Sequence, residues 1–127
     1  MNELEIVSKI CSGKYRGKKV EEMIKKGLVR RVFIANEEKL GFKITAVIEV
    51  GIKKGYIDEA ERNLANFPNV KAVYDVTGDY DAILIAKFRD MKELNNFIKV
   101  IHTYPYVEST RTHVVLNIVK EKPSVFN

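Results

Sequence analysis

From Lys43 onward the chain uses one pattern twice, and this repetition constrains its fold more than any other feature. A helical stretch marked by Ile57, Ala60, Leu64 and Ala65 runs into Phe67-Pro68-Asn69-Val70 and then a strand. A second, marked by Leu94, Phe97, Ile98 and Ile101, runs into Tyr104-Pro105-Tyr106-Val107 and then a strand. The shared aromatic–Pro–x–Val recurs at a spacing of 37 residues. In both copies proline stops the helix shortly after its last apolar residue. A strand also precedes each helix, Lys43–Val50 in the first copy and Asp81–Phe88 in the second. The unit is strand–helix–strand, used twice.

Two such units in series predict an α+β fold with the ferredoxin-like order βαββαβ. Right-handed crossovers then place both helices on one face of a four-stranded antiparallel sheet. The halves are joined through Tyr74–Phe88, YDVTGDYDAILIAKF, which reads as strand, tight polar turn, strand. Gly78 suits the positive φ of that turn, and Asp75, Asp79 and Asp81 crowd around it. The strand after the turn is apolar on both faces, so both need cover. Two helices cover only one. In the last strand Thr110, Thr112, Val114, Leu116 and Ile118 alternate with Arg111, His113, Val115, Asn117 and Val119. Val47, Val73, Val115 and part of Asp81–Phe88 are expected on the open face. An apolar patch of that kind predicts sheet-to-sheet packing in a homodimer.

At 127 residues the chain holds about one domain plus a small appendage. Its net charge of +5 is uneven. Lys9–Arg31 holds nine basic residues against Glu21 and Glu22, whereas the repeat region is close to neutral. A basic segment on a near-neutral body suggests a polyanion partner, with a solvated charged helix as the bland alternative. Cys11 is the only cysteine, which excludes an internal disulfide and a cysteine zinc cluster. The start carries acids where a signal peptide has bases, and no stretch reaches the roughly 20 apolar residues of a membrane helix. A cytoplasmic protein is the simple expectation.

Little points to catalysis. Asp75, Asp79 and Asp81 lack a Glu or His at ligand spacing, so no metal site is expected. His102 and His113 have no neighbouring nucleophile in sequence. GKYRGKK lacks the spacing and the Lys-Ser/Thr ending of a phosphate loop. The central strands lack the aromatics of an RNA-binding sheet. No cofactor is expected.

Ahead of the repeat, Glu3–Ile10 and Lys18–Lys26 read as short amphipathic helices, with Gly27 as C-cap of the second. Leu28–Ile34 reads as a hinge strand and Ala35–Gly41 as a short polar connection. The expected divisions are a head over 1–27, a hinge and linker over 28–42, a body over 43–122 and a tail over 123–127.

The hinge VRRVFIANEEKLGF, the helix end FPNV, the turn VTGDYD, the helix KELNNFI and the final YPYVESTRTHVVLNIVKE together resemble the Lrp/AsnC (feast/famine) family of prokaryotic transcription regulators. The similarity spans Gly27–Glu121. It implies a ferredoxin-like domain that pairs through its sheets, assembles further, and binds small effectors, typically amino acids, between subunits near the Gly-Asp turn. Carried over, it points to Gly78, Asp79, Tyr80 and Asp81, with Thr110 and Thr112. A zwitterion needs acceptors for its ammonium and donors for its carboxylate, and these groups supply both. Without the resemblance, Gly and Asp here are ordinary turn residues.

The resemblance also implies a helix-turn-helix head on double-stranded DNA, and here the chain departs from the family, because only about two helices fit before Leu28. Lys18–Lys26 matches the later part of a recognition helix. Lys14, Tyr15, Arg16, Lys18 and Lys19 would face DNA, while Gly13 and Gly17, placed where that helix begins, weaken it. The leading expectation is a DNA-binding, amino-acid-sensing regulator rather than an enzyme. The alternative is an effector-binding and oligomerising module, without DNA binding of its own, that modulates full-length relatives.

Overall fold

The computed structural model describes residues 1–127. They form two compact units. One comprises Ala35–Asn117; the other comprises Met1–Ile34 together with Ile118–Asn127.

In the first unit, the body, strand β1 (Ile44–Ile52) leads to helix α3 (Ile57–Ala65) and strand β2 (Val70–Asp75). Strand β3 (Ala82–Phe88) leads to α4 (Met91–Ile101) and β4 (Val107–Val114). The sheet is antiparallel in the order β2-β3-β1-β4, which is the ferredoxin-like arrangement the repeat predicts. The two copies close alike: the Val70 N–H donates to the Phe67 carbonyl at 3.0 Å, and the Val107 N–H to the Tyr104 carbonyl at 3.1 Å. The repeated aromatics themselves meet edge to face, with Phe67 and Tyr104 centroids 6.4 Å apart. Helix α4 starts on Asp90, whose Oδ1 accepts the Glu93 N–H at 2.8 Å.

Pairing assigns the faces. Ala46, Ile48 and Val50 of β1 lie opposite Ala86, Leu84 and Ala82 of β3, and all six are fully buried. They pack with Ala60 and Leu64 of α3 and Leu94, Phe97 and Ile101 of α4. Burying side chains of this size contributes roughly 1.5–3 kcal/mol each for the larger ones, so this layer holds the body together. The other face carries Thr45, Val47 and Glu49 of β1 opposite Lys87, Ile85 and Ile83 of β3. Val47, Ile83 and Ile85 are only half-buried there. Val73, expected on that open face, instead lies opposite Leu84 and packs against the core, because an irregularity between Val70 and Ala72 shifts the parity of β2.

Two further expectations differ from the structure. Leu28–Ile34 joins no sheet, and Val32, Phe33 and Ile34 are exposed. A strand needs a ladder partner, and within this chain the segment has none. The last strand ends at Val114, although the alternating pattern continues to Val119. The compact body comprises Ala35–Asn117, and residues 118–127 group with the N-terminal helices.

The second unit, the head, holds α1 (Glu3–Cys11) and α2 (Lys18–Lys25). Asn2 Oδ1 accepts the Glu5 N–H at 2.8 Å, and Glu3 and Glu5 occupy the first turn, where the helix dipole favours acids. Gly27, at φ +74°, closes α2: the Leu28 N–H donates to the Met23 carbonyl at 2.9 Å. Gly13, at φ +77°, closes α1 in the same way and opens no second helix. Ile6, Val7 and Met23 are buried together, with Ile10, Cys11, Val29 and Phe126 packed around them.

Candidate functional site

The expected effector residues gather at one end of the body sheet. The segment Val76–Asp81 connects β2 to β3, with Gly78 at φ +114°. A Cβ at Gly78 would meet no atom within 4 Å, so it is the backbone angle, not space, that favours glycine there. Asp79 is exposed, and its carboxylate makes no hydrogen bond or ion pair.

Asp81 is held differently. Its N–H donates to the Val50 carbonyl at 3.1 Å, and its own carbonyl accepts the Val76 N–H at 3.0 Å. Its carboxylate Oδ2 accepts the Ile52 N–H at 2.7 Å. The β1–β3 ladder ends where Val50 pairs with Ala82, so β3 offers Ile52 no backbone acceptor, and the Asp81 side chain takes its N–H. Asp81 therefore fastens the hairpin to β1.

The threonines stand across β1. Thr110 pairs with Val50 and Thr112 with Ile48, so both lie on the helix-covered face, at the edge strand. Thr110 Oγ1 is hydrogen-bonded to His102 Nε2 at 2.9 Å, just past the end of α4. Tyr80 keeps other company: the Arg111 guanidinium lies over its ring, 5.2 Å from the centroid. Arg111 pairs with Glu49, on the open face of the sheet. Arg111 Nε and His113 Nε2 each stand 3.6 Å from Glu49 Oε2. The structure thus brings Gly78, Asp79, Tyr80, Asp81 and Thr110 to one end of the sheet but divides Thr110 and Thr112 from Arg111 by face.

A second group of carboxylates borders the same end. Glu61 of α3 has its carboxyl pushed up from the usual range, first by burial, then by Asp75, Asp58 and Asp81. Sequence reading missed both Arg111 and Glu61. Arg111 was legible only as a neighbour of Thr110 and Thr112, because its stacking partner is 31 residues away in sequence. Glu61 looked like any polar residue of an amphipathic helix. No group of three or more His, Cys, Asp or Glu side chains is placed to hold a metal ion.

In the head, Lys14, Arg16, Lys18 and Lys19 are exposed, and Tyr15 is half-buried. Lys14–Gly17 forms the connection between the helices, and Lys18 and Lys19 occupy the first turn of α2. None of the four cations has a carboxylate partner, whereas Lys26 pairs with Glu3 at 2.7 Å and Arg31 with Glu21 at 2.6 Å. The Glu3 hydrogen bond and charge hold the Lys26 ammonium above its usual range. Two lysines in a first turn oppose the helix dipole, and Gly17 supplies no side-chain cap.

The profile of the Lrp/AsnC ligand binding domain matches residues 45–125, well over half of the chain. The chain belongs to the Lrp/AsnC family. An uncharacterized HTH-type transcriptional regulator of Pyrococcus furiosus is 45% identical over 107 residues, which cover 84% of this chain and 70% of that protein. One from Pyrococcus horikoshii is 48% identical over 86 residues, covering 68% of this chain and 58% of that protein, so this family member spans less than two thirds of that relative's length. Among solved structures, E. coli AsnC superposes with a TM-score of 0.78 at 23% identity, over 86% of this chain and 74% of its own. A transcriptional regulator from Neisseria meningitidis in complex with L-methionine gives 0.75 at 22%, over 84% and 72%. At these identities the two structures establish the fold: the βαββαβ body of this Lrp/AsnC chain is also theirs.

Proposed function

We propose that this chain is an amino-acid-responsive transcription regulator. Its basic head contacts double-stranded DNA, and its body pairs with a second copy and binds the effector beside the Gly78–Asp81 turn. The observation that carries the reading is the cationic run Lys14, Arg16, Lys18 and Lys19, exposed cations clustered at the start of α2, none of which has an acidic partner. Phosphates would relieve the mutual repulsion of these cations and the dipole conflict in the first turn of α2.

For the effector, Asp79 offers a free carboxylate to an ammonium. The amides of the Gly78 turn offer donors to a carboxylate, joined on the helix-covered face by the Thr110 and Thr112 hydroxyls or, on the open face, by Arg111. A ferredoxin-like regulator of the same fold that is an L-methionine complex supports an amino acid as the ligand class. The open sheet face, with Val47, Ile83 and Ile85 half-buried, supports pairing between copies, and higher assembly follows the family pattern. The setting is cytoplasmic, and no enzymatic activity is assigned. No helix is long and apolar enough to cross a membrane.

The test is binding to duplex DNA across a salt series, with wild type compared with a variant carrying Lys14→Ala, Arg16→Ala, Lys18→Ala and Lys19→Ala. Loss of up to four phosphate contacts should flatten the plot of log affinity against log salt by up to about 3.6. An unchanged slope removes these residues from the interface. Absence of salt-dependent binding in wild type favours the second reading, an effector-binding module that acts in mixed oligomers with longer relatives. The small head, with helices of nine and eight residues, favours that reading in its turn.

A further inference from the structure

The last residues of the chain belong to the head. Phe126 packs against the buried cluster of Ile6, Val7 and Met23. Asn127 Nδ2 donates to the Cys11 carbonyl at 3.0 Å, satisfying one of the acceptors that the last turn of α1 leaves without a partner. The segment is folded to do this. The Phe126 N–H donates to Ser124 Oγ and the Asn127 N–H to the Ser124 carbonyl, each at 3.2 Å, which makes a tight turn that presents the Phe126 ring.

The head needs that third side. Isolated helices shorter than about 12–15 residues are marginal in water, and α1 and α2 are shorter. A pair of such helices buries only a few large side chains, and here just Ile6, Val7 and Met23 are fully covered. The aromatic ring that closes the cluster comes from the far end of the sequence.

We propose that residues 118–127 are a structural part of the head, holding α1 and α2 together through Phe126, and that they give β4 a covalent route into the head separate from the hinge. Residues 28–42 make the first connection between head and body. The second runs from β4, which carries Thr110, Arg111 and Thr112, into Ile118–Asn127. A ligand that displaces β4 therefore acts on the order of the head through the tail as well as through the hinge. This last step rests on the effector reading above.

Hydrogen exchange of the full chain tests the proposal, comparing wild type with Phe126→Ala and Phe126→Leu. Removing a ring that packs on a core loosens the unit it closes. Phe126→Ala should speed exchange in α1 and α2 by about tenfold or more, Phe126→Leu should keep most of the protection, and amides of β1 and β3 should be unchanged in both. Unchanged protection in α1 and α2 of Phe126→Ala overturns the structural role. An amino acid that stabilises wild type should alter exchange in α1 and α2 of wild type, and alter it less in Phe126→Ala. An equal response in both confines the signal to the hinge and overturns the second route. If no amino acid stabilises the chain, the effector reading fails, while the ligand-free comparison still decides the role of the tail.

Discussion

Asp81 and Asp79 are two residues apart in one turn, and substituting each should have opposite consequences. Asp81 Oδ2 accepts the Ile52 N–H at 2.7 Å, and Ile52 is 5% exposed. Asp81→Ala leaves that buried donor without a partner, and a hydrogen bond to a charged group contributes about 1.5–3 kcal/mol. One effect runs the other way, because Asp81 is among the charges that repel Glu61. It is the smallest of the perturbations acting on that residue, so the offset is minor and the net cost is about 2 kcal/mol. For a unit of on the order of 80 residues, each kcal/mol shifts Tm by about 4–8 °C, which predicts a fall of about 10 °C. Asp81→Asn keeps an acceptor oxygen without its charge and should lose about half as much. Asp79→Ala, which removes an exposed and unpaired carboxylate, should melt within about 1–2 °C of wild type. The assay is thermal unfolding followed by circular dichroism at one fixed protein concentration, because any assembly makes Tm concentration-dependent. An Asp81→Ala variant that melts as wild type does would refute the assignment of Asp81 as the fastening of the hairpin to β1.

Other consequences can be checked separately. Glu61 has its carboxyl raised by burial and then by Asp75, Asp58 and Asp81, so the fold binds its proton more tightly than the unfolded chain does. That contribution is present below the unfolded pKa and is lost as pH rises through the folded one. Glu61→Gln should therefore melt higher than wild type at pH 7, with the gap closing towards pH 4; a lower melting point at pH 7 contradicts this. Ile85→Glu puts a charge on the open sheet face and should convert an assembled wild type to monomer in sedimentation, with the helix-covered core intact. A wild type already monomeric at micromolar concentration would remove the face-to-face pairing.

The repeat made the body legible. Aromatic–Pro–x–Val at a fixed spacing encodes a helix stop and a strand start, and both copies close on the same hydrogen bond. The faces of β3 were not legible, because a strand apolar on both sides has no parity to read; pairing with β1 assigns Ala82, Leu84, Ala86 and Phe88 to the core. Val73 went astray because an irregularity upstream in β2 reverses the alternation. Leu28–Ile34 has strand composition, but composition supplies no ladder partner. At the site, turn chemistry located Gly78, Asp79 and Asp81. It did not separate the carboxylate that bonds to the Ile52 N–H from the one that is free, because that difference depends on where the pairing of β3 with β1, a strand distant in sequence, comes to an end. Phe126 carried the one signal that was missed, an aromatic beside Val125 in an otherwise polar tail.

The proposed function places an amino-acid site beside the Gly78–Asp81 turn. A thermal-shift titration of the full chain with each of the common L-amino acids, run beside Asp79→Ala, tests it most directly. A ligand at 100 times its Kd stabilises by about 2.7 kcal/mol, a shift well above noise. The prediction is that one amino acid or a small related set raises the Tm of wild type and that Asp79→Ala, equally stable alone, loses most of the response. No response to any amino acid, or an undiminished response in Asp79→Ala, would contradict the claim.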